Sequence, residues 1–192
     1  MIKMEDFVFY NKKKAKEFLE IAEKLNYKQI VFILNNEKDK KELKDLDSDI
    51  KIKTAFFLSG NRRAGSYKNK FDFIIAPPER NYFEDKHVDI IINMEMSSKR
   101  DSFHFRNSGL NQVRCKLARE KDIILGFNFS SLLKADFITK IILIGRMLQN
   151  SRICNKYNNK CFVRSFAHDP FEMRSYNDFK NFEIVLGLKK FD

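Results

Sequence analysis

The chain of 192 residues contains no tryptophan and little glycine, proline, cysteine or histidine. Its cysteines are odd in number and form no C-x-x-C pair, which favours reduced thiols over a disulfide framework. Residues 1–10 lack the basic start and apolar core of a signal peptide. The most apolar helical stretch, residues 135–148, is interrupted by Lys140 and Arg146. We therefore expect a soluble, cytoplasmic protein without a membrane span.

Motifs for cofactor binding and catalysis are missing as well. No glycine-rich turn follows the first predicted strand, and no G-x-x-x-x-G-K-[ST] loop occurs. The histidines His87, His104 and His168 form neither an H-x-H nor an H-E-x-x-H motif. His168 with Asp169, and Cys115 with His104, could be written as dyads, but such pairs arise by chance. We expect no catalytic residue, no metal site and no cofactor bound by the protein itself.

Positive charge is in clear excess. Lysine and arginine number 37 against 26 acidic residues, which gives a net charge of +11 and a pI near 9.5. Such a surface attracts polyanions, so the composition predicts a nucleic acid as partner. A basic enzyme or a ribosome-associated factor would have the same composition, and the charge alone does not separate them.

Short apolar runs alternate with amphipathic runs, which indicates βα units. Seven runs predict strands: residues 6–10, 29–34, 50–59, 71–76, 88–93, 122–129 and 161–165. Several are continuous and β-branched, as in parallel strands that are buried on both faces. A doubly wound sheet or a barrel would both show this pattern. Without a dinucleotide motif, the number of units favours a single TIM-like (β/α) barrel domain over residues 1–192, with some helices short.

Basic residues follow alternate predicted strands. In a parallel barrel, the loops after the strands share one face, so these cations should share one rim. Lysines in the first turn of a helix oppose its dipole, unless a phosphate binds there; Asn11 is the predicted N-cap. A solvated lysine run is the alternative. The predicted phosphate contacts are Lys12, Lys13, Lys14, Arg62, Arg63, Lys99, Arg100, Arg106 and Arg164.

The stretch from His104 to Lys134 combines a polar loop, a helix and a strand. Ser108 is the predicted N-cap of that helix. Leu110, Val113 and Leu117 form its predicted core stripe, with polar residues on another face. For the loop residues before Ser108, local hydrogen bonding and ligand contact remain open alternatives.

The segment FHFRNSGLNQVRCKLAREKDIILGFNFSSLL, residues 103–133, resembles the signature region of ribonuclease P protein component 3. This is the archaeal counterpart of the eukaryotic thirty-kilodalton subunit. A second segment, VRSFAHDPFEMRSYNDFKNFEIVLGL, residues 163–188, is similar to the C-terminal part of that family. The N-terminal half matches in layout more than in letters, so the similarity covers roughly residues 88–188.

The resemblance implies a TIM-like barrel related to the PHP (polymerase and histidinol phosphatase) fold, without metal ligands. It implies a non-catalytic subunit of an endoribonuclease whose RNA uses Mg²⁺ to remove 5′ leaders from precursor tRNA. The implied partners are the ribonuclease P RNA and protein component 2, an RRM-like subunit, in a heterotetramer. A PHP-like metal-dependent phosphoesterase and a generic RNA-binding assembly module remain alternatives.

Two sets of residues are carried over from the family motifs. Phe166 departs from the family, which commonly has a small residue there, and its ring is expected to narrow the rim beside Arg164 and Ser165. The loop motif falls on His104, Arg106, Asn107, Ser108, Gly109 and Asn111, and the late motif on Ser165, Arg174 and Ser175.

Overall fold

Seven parallel strands follow one another in sequence order around the sheet of this computed structural model, which describes residues 4–43, 46, 48–60, 62–97, 100–104 and 106–189. Their bounds are β1 Glu5–Phe9, β2 Gln29–Leu34, β3 Lys51–Phe57, β4 Phe73–Ala76, β5 Ile90–Ile92, β6 Ile124–Asn128 and β7 Cys161–Arg164. A parallel bridge between Val8 and Ala167 brings the last strand back to the first. The predicted TIM-like barrel is confirmed, and each strand lies within its predicted run or one residue from it.

Helices alternate with the strands. They are α1 Ala15–Lys24, α2 Asp39–Leu43, α3 Arg80–Glu84, α4 Gln112–Glu120, α5 Phe129–Lys134, α6 Phe137–Tyr157 and α7 Tyr176–Val185. Short 3₁₀ turns lie at Ala64–Ser66, Met94–Met96 and Pro170–Glu172. The helices α2 and α3 are only 5 residues long, as the modest chain length predicts. No helix in the described ranges has the length and apolar character needed to cross a bilayer.

The inside of the barrel is filled by side chains that alternate with those facing the helices. Its cluster includes Phe7, Phe9, Phe162 and Phe166, with aliphatic residues from the other strands. Phe166 has a φ of +46° and is 0% exposed. A Cβ on Gly126 would lie 2.9 Å from Cζ of Phe166, so this glycine provides the space for the ring. The ring therefore lies inside the barrel. The prediction that it narrows the rim is wrong.

Side chains close the seam between β7 and β1, where the backbone ladder is incomplete. The Ser165 amide donates to Oδ1 of Asp6 at 2.9 Å, and its hydroxyl donates to Oδ2 at 2.6 Å. Nε of Arg164 donates to the Glu5 carbonyl at 2.7 Å. Burial raises the pKa of Asp6 to about 6, against the lowering effect of its bonds to Ser165. The predicted late-motif residue Ser165 thus holds the barrel together.

Candidate nucleic-acid interface

The loops that leave the C-terminal ends of the strands all lie at one end of the barrel, because every pair of neighbouring strands is parallel. We call this end the basic rim. Lys99 lies outside the described residues. The predicted cations that the structure places in rim loops are Lys12, Lys13, Lys14, Arg62, Arg63, Arg100 and Arg106.

Lys12, Lys13 and Lys14 form a turn that precedes α1. Oδ1 of Asn11 accepts from the Lys13 amide at 3.0 Å, which is the local bond that starts such a turn. Asn11 therefore caps this turn, and the predictions that it caps the helix and that the lysines occupy the first helical turn are wrong. The Lys13 side chain is exposed and makes no hydrogen bond within the described part of the chain.

Acidic residues on neighbouring loops already neutralise two of these lysines. Nζ of Lys12 lies 2.8 Å from Oε1 of Glu42 in α2, and Lys14 pairs with Asp169 after β7. The hydrogen bond from Lys14 holds the pKa of Asp169 below its usual value. An RNA phosphate would have to displace a carboxylate at Lys12 and Lys14, whereas Lys13 has no such competitor among the described residues.

The arginines after β3 remain at the surface. Nη1 of Arg62 donates to the Asn35 carbonyl at 3.0 Å, and its guanidinium lies 5.5 Å from the centre of the Phe56 ring. Arg63 is exposed immediately before the turn Ala64–Ser66. Both keep donors available for phosphate, and the loops after β2 and β3 come together through the Arg62 bond.

Arg164 is 1% exposed, unlike the other predicted phosphate contacts that the structure describes. Its Nη1 lies 3.3 Å from Oε1 of Glu183 in α7, and its guanidinium lies 5.1 Å from the Tyr176 ring centre. The prediction that Arg164 contacts a phosphate is therefore wrong. The Arg164 side chain lies inward because its N–H groups donate to the carbonyls of Glu5 and Val163 at the incomplete seam.

The loop that carries the family's loop motif lies against α6. Nη1 of Arg106 donates to the Gly145 carbonyl at 3.1 Å, and a Cβ on Gly145 would lie 2.8 Å from Cζ of Arg106. The absence of a side chain at Gly145 lets the guanidinium lie against the helix. Arg106 nevertheless stays exposed, so one predicted residue combines local hydrogen bonding with access to a ligand.

Buried polar side chains of α6 fix the loop from beneath. Arg146 is 2% exposed, and its Nε donates to Oδ1 of Asp101 at 2.8 Å. The same Oδ1 accepts from the Asn107 amide at 2.9 Å. Nδ2 of Asn150 donates to the Ser108 carbonyl at 2.7 Å. Asn107 and Ser108 thus serve the loop's own conformation.

Gly109 and Asn111 join the loop to α4. Gly109 has a φ of +87°, and a Cβ there would overlap the Met94 carbonyl oxygen. Oδ1 of Asn111 accepts from the Arg114 amide at 2.9 Å, so Asn111 is the N-cap. The prediction that Ser108 caps this helix is wrong, because the sharp bend at Gly109 delays the helix until Gln112.

The later start also shifts the core face of α4. Cys115 and Ala118 are fully buried, whereas Val113 is 54% exposed. Leu117 is partly buried, as predicted. The predicted stripe was correct for Leu110 and Leu117 and wrong for Val113.

The side chains of Arg174 and Ser175, from the late motif, hydrogen-bond to backbone groups before and at the start of α7. Ser175 is the N-cap of α7 and forms a capping box with Asp178. Nη1 of Arg174 donates to the Phe171 carbonyl at 2.8 Å and to the Met173 carbonyl at 2.7 Å. These contacts fix the entry into α7, which in turn supplies Glu183 to the seam.

Glu95 was not identified from the sequence. It is fully buried after β5, and its Oε1 accepts from the Asn128 amide at 3.2 Å. Its carbonyl accepts from Nη1 of Arg146 at 2.9 Å. Burial raises its pKa from 4.5 to about 7. A lone acid between two methionines gives no periodic signal, so only the folded structure reveals its position.

Glu95→Gln should change how stability depends on pH. The pKa of Glu95 is higher in the folded chain, about 7, than in the unfolded chain, near 4.5. Its contribution to the free energy of unfolding is therefore fully present below pH 4.5 and is lost as the pH rises through about 7. Between pH 4.5 and 8, the variant should gain on the order of 3 kcal/mol relative to the unmodified chain. Urea unfolding at both pH values measures this gain. Glu20→Gln, an exposed acid of α1, is the control. Equal gains in the two variants would contradict the prediction.

The barrel mouth carries no metal-ligand cluster among the residues that the structure describes. No group of three His, Cys, Asp or Glu side chains there could hold a metal ion. The His168 ring stacks on Phe9 with centroids 4.1 Å apart. These two rings lie beside the end of β1, whereas Glu95 and Asn128 place polar groups at the ends of β5 and β6.

No protein-family model matches the chain. The chain is 27% identical over 131 residues to ribonuclease P protein component 3 of Methanosarcina acetivorans, which covers 66% of this chain. It spans about half the length of that curated relative, 52%.

A chain in the cryo-EM structure of archaeal ribonuclease P with mature tRNA superimposes with a TM-score of 0.79, at 16% identity. The match covers 96% of this chain and 83% of that chain. The chain is therefore similar in sequence to ribonuclease P protein component 3, as the segments 103–133 and 163–188 predicted. It shares its barrel fold with a chain of that archaeal structure.

Proposed function

We propose that the chain is a non-catalytic protein subunit of ribonuclease P, which supports the catalytic RNA in removing 5′ leaders from precursor tRNA. The observation that carries this proposal is the 131-residue similarity to ribonuclease P protein component 3. The barrel match to a chain of an archaeal ribonuclease P structure supports it. The Mg²⁺ that assists cleavage would be bound by the RNA.

The inside of the barrel is a packed core, as in TIM barrels generally, so a chemical step would have to be carried by the loops at the C-terminal ends of the strands. Phe7, Phe162 and Phe166 are almost completely buried and lie with ring centres 5.6 to 6.0 Å apart. At the strand ends, a phosphodiester substrate would need polar or metal groups to stabilise its developing charge, and no three His, Cys, Asp or Glu side chains of the described residues could hold a metal ion. We therefore expect the isolated chain not to cleave RNA.

The basic rim gives the physical mechanism. Folded RNA repels itself, and cations that neutralise its phosphates reduce the Mg²⁺ needed to close its core. Lys13, Arg63 and Arg106 are exposed in the loops that follow β1, β3 and β5. The rim can therefore contact several phosphates at once.

A protein partner is part of the proposal. The resemblance implies protein component 2 and a heterotetramer with it. Phe137, Ile138 and Ile141 near the start of α6 are 56 to 77% exposed, and such apolar surface is typical of protein interfaces. We propose that the subunit assembles with component 2 and the RNA in the cytoplasm.

Reconstitution tests the function. The chain, component 2 and ribonuclease P RNA should cleave precursor tRNA at lower Mg²⁺ than the RNA alone. Cleavage of a generic phosphodiester by the isolated chain, with bound metal, would favour the PHP-like phosphoesterase. RNA binding without any effect on precursor-tRNA cleavage would favour a generic assembly module.

Removing rim charges should make RNA binding less dependent on salt. For Lys13→Ala with Arg63→Ala, the slope of log affinity against log salt should become shallower by about 0.7 to 0.9 for each phosphate that is no longer neutralised. The control removes the same charge at the opposite end of the barrel, with Lys28→Ala and Lys51→Ala. Filter binding over a salt series measures both slopes. The same slope in the two double variants would refute the assignment to the rim.

A further inference from the structure

The most exposed large apolar side chain among the described residues lies in the loop between β5 and α4, not on a helix. Phe103 is 98% exposed, although phenylalanine is usually buried. His104, the next residue, is also exposed, and its ring stands at 85° to the Phe103 ring with centroids 4.9 Å apart. We call these two residues the aromatic tip.

The chain on both sides of the aromatic tip is held in place. Before it, Asp101 is bound by the buried Arg146. After it, Nδ2 of Asn107 donates to the Arg100 carbonyl at 2.7 Å and to the Ser102 hydroxyl at 3.3 Å. The two ends of the loop are thus tied to each other and to α6. A ring presented by an anchored loop loses less entropy on binding than a ring on a mobile one.

The charge around the aromatic tip favours a polyanionic ligand. Arg100 and Arg106 lie on either side of the tip, and both are exposed. The acid nearest to the tip in the sequence, Asp101, is neutralised by Arg146 at 2.8 Å. Aromatic rings beside cations are the combination that proteins use for unpaired nucleotides, because the ring stacks on the base and the cations bind the backbone.

We propose that the aromatic tip is a stacking site for an unpaired nucleobase, with Phe103 as the platform and His104 beside it. This inference rests on the proposed function, since it names a ribonuclease P RNA nucleotide as the ligand. The base would come from a loop, a bulge or a strand end, because bases within a helix are not accessible to a ring. Any base can stack, so the site selects unpaired structure more than sequence.

The absence of tryptophan provides a direct reporter of stacking. Phe103→Trp places the only indole of the protein at the tip. Addition of ribonuclease P RNA, with component 2 present, should quench its fluorescence. Val185→Trp is the control, because Val185 is 69% exposed at the last residue of α7, where this helix has run away from the basic rim. Its fluorescence should change much less.

The affinity of the RNA gives a second readout. Phe103→Ala should weaken binding about 5- to 150-fold, the range found for loss of one stacked base. Its salt dependence should stay unchanged, because no charge is removed, and Phe103→Trp should bind as the unmodified chain does.

Three results would overturn the stacking site. One is unchanged affinity in Phe103→Ala together with unquenched indole fluorescence in Phe103→Trp. Another is weaker assembly with component 2 at unchanged RNA affinity, which would make the tip a protein contact. The last is failure of the unmodified chain to bind or assist the RNA, which would end the proposed function itself and is recognised without any variant.

Discussion

Gly109→Ala should destabilise the protein by about 3 to 5 kcal/mol, because a backbone clash is added to an unfavourable φ. The new Cβ would overlap the Met94 carbonyl oxygen and would lie 2.6 Å from the Ser97 hydroxyl. A hydroxyl can rotate away, but the carbonyl belongs to the 3₁₀ turn that follows β5 and cannot. Either the loop leaves its site or the turn shifts, and both movements disrupt the contacts of Glu95 and Arg146. Chemical unfolding monitored by circular dichroism measures the loss.

Gly187→Ala separates the two causes. Gly187 has a φ of +69°, yet no atom lies within 4 Å of the position that a methyl group would take there. This substitution should cost only about 1 to 2 kcal/mol, the cost of the left-handed conformation. A loss at Gly109 no larger than the loss at Gly187 would show that the close packing on Met94 is not required.

Arg164→Met should cost about 3 to 5 kcal/mol, because it removes one partner of a buried ion pair. The methionine fills much of the space but supplies no donor. The Glu5 carbonyl loses the bond from Nε, and Glu183 keeps a buried carboxylate with fewer partners. The seam between β7 and β1 would loosen first, since side chains rather than a backbone ladder close it there. Urea unfolding and amide exchange of β1 would report this change.

Lys180→Met is the control for Arg164. Lys180 contacts the same carboxylate, Glu183, at 2.8 Å, but its side chain is 40% exposed. Exposed ion pairs contribute about 1 kcal/mol or less, so this substitution should have a small effect. Comparable losses in the two variants would mean that burial of Arg164 adds nothing to the strength of the pair.

The strands could be predicted from the sequence because their signal is local. A run such as QIVFIL at Gln29–Leu34 is apolar at every position but the first, and a strand buried on both faces requires such a continuous run. The prediction matched this strand at both ends. The placement of Lys13 and Arg63 at one end of the barrel followed from the same reasoning, because parallel strands direct all of their following loops to one end.

Helix starts were predicted less well, because neighbouring residues compete for the cap. Ser108 and Asn111 are both good N-caps, and Asn11 is as suitable for a turn as for a helix. The bend at Gly109 decides between the first two, and that bend is required by contact with Met94, which belongs to a different element of the chain. A local pattern does not contain this information.

By itself, the sequence determined the barrel class, the excess of positive charge, the end of the barrel where most of that charge lies, and the resemblance to ribonuclease P protein component 3. Only the tertiary structure decided which polar groups are buried. It turned Arg164 into the seam, enclosed Glu95 and left Phe103 in water, although residue type alone predicts the opposite for all three. The physical reason is that burial depends on unsatisfied hydrogen-bonding groups and free space supplied by distant segments, and neither is encoded in the local order of residues.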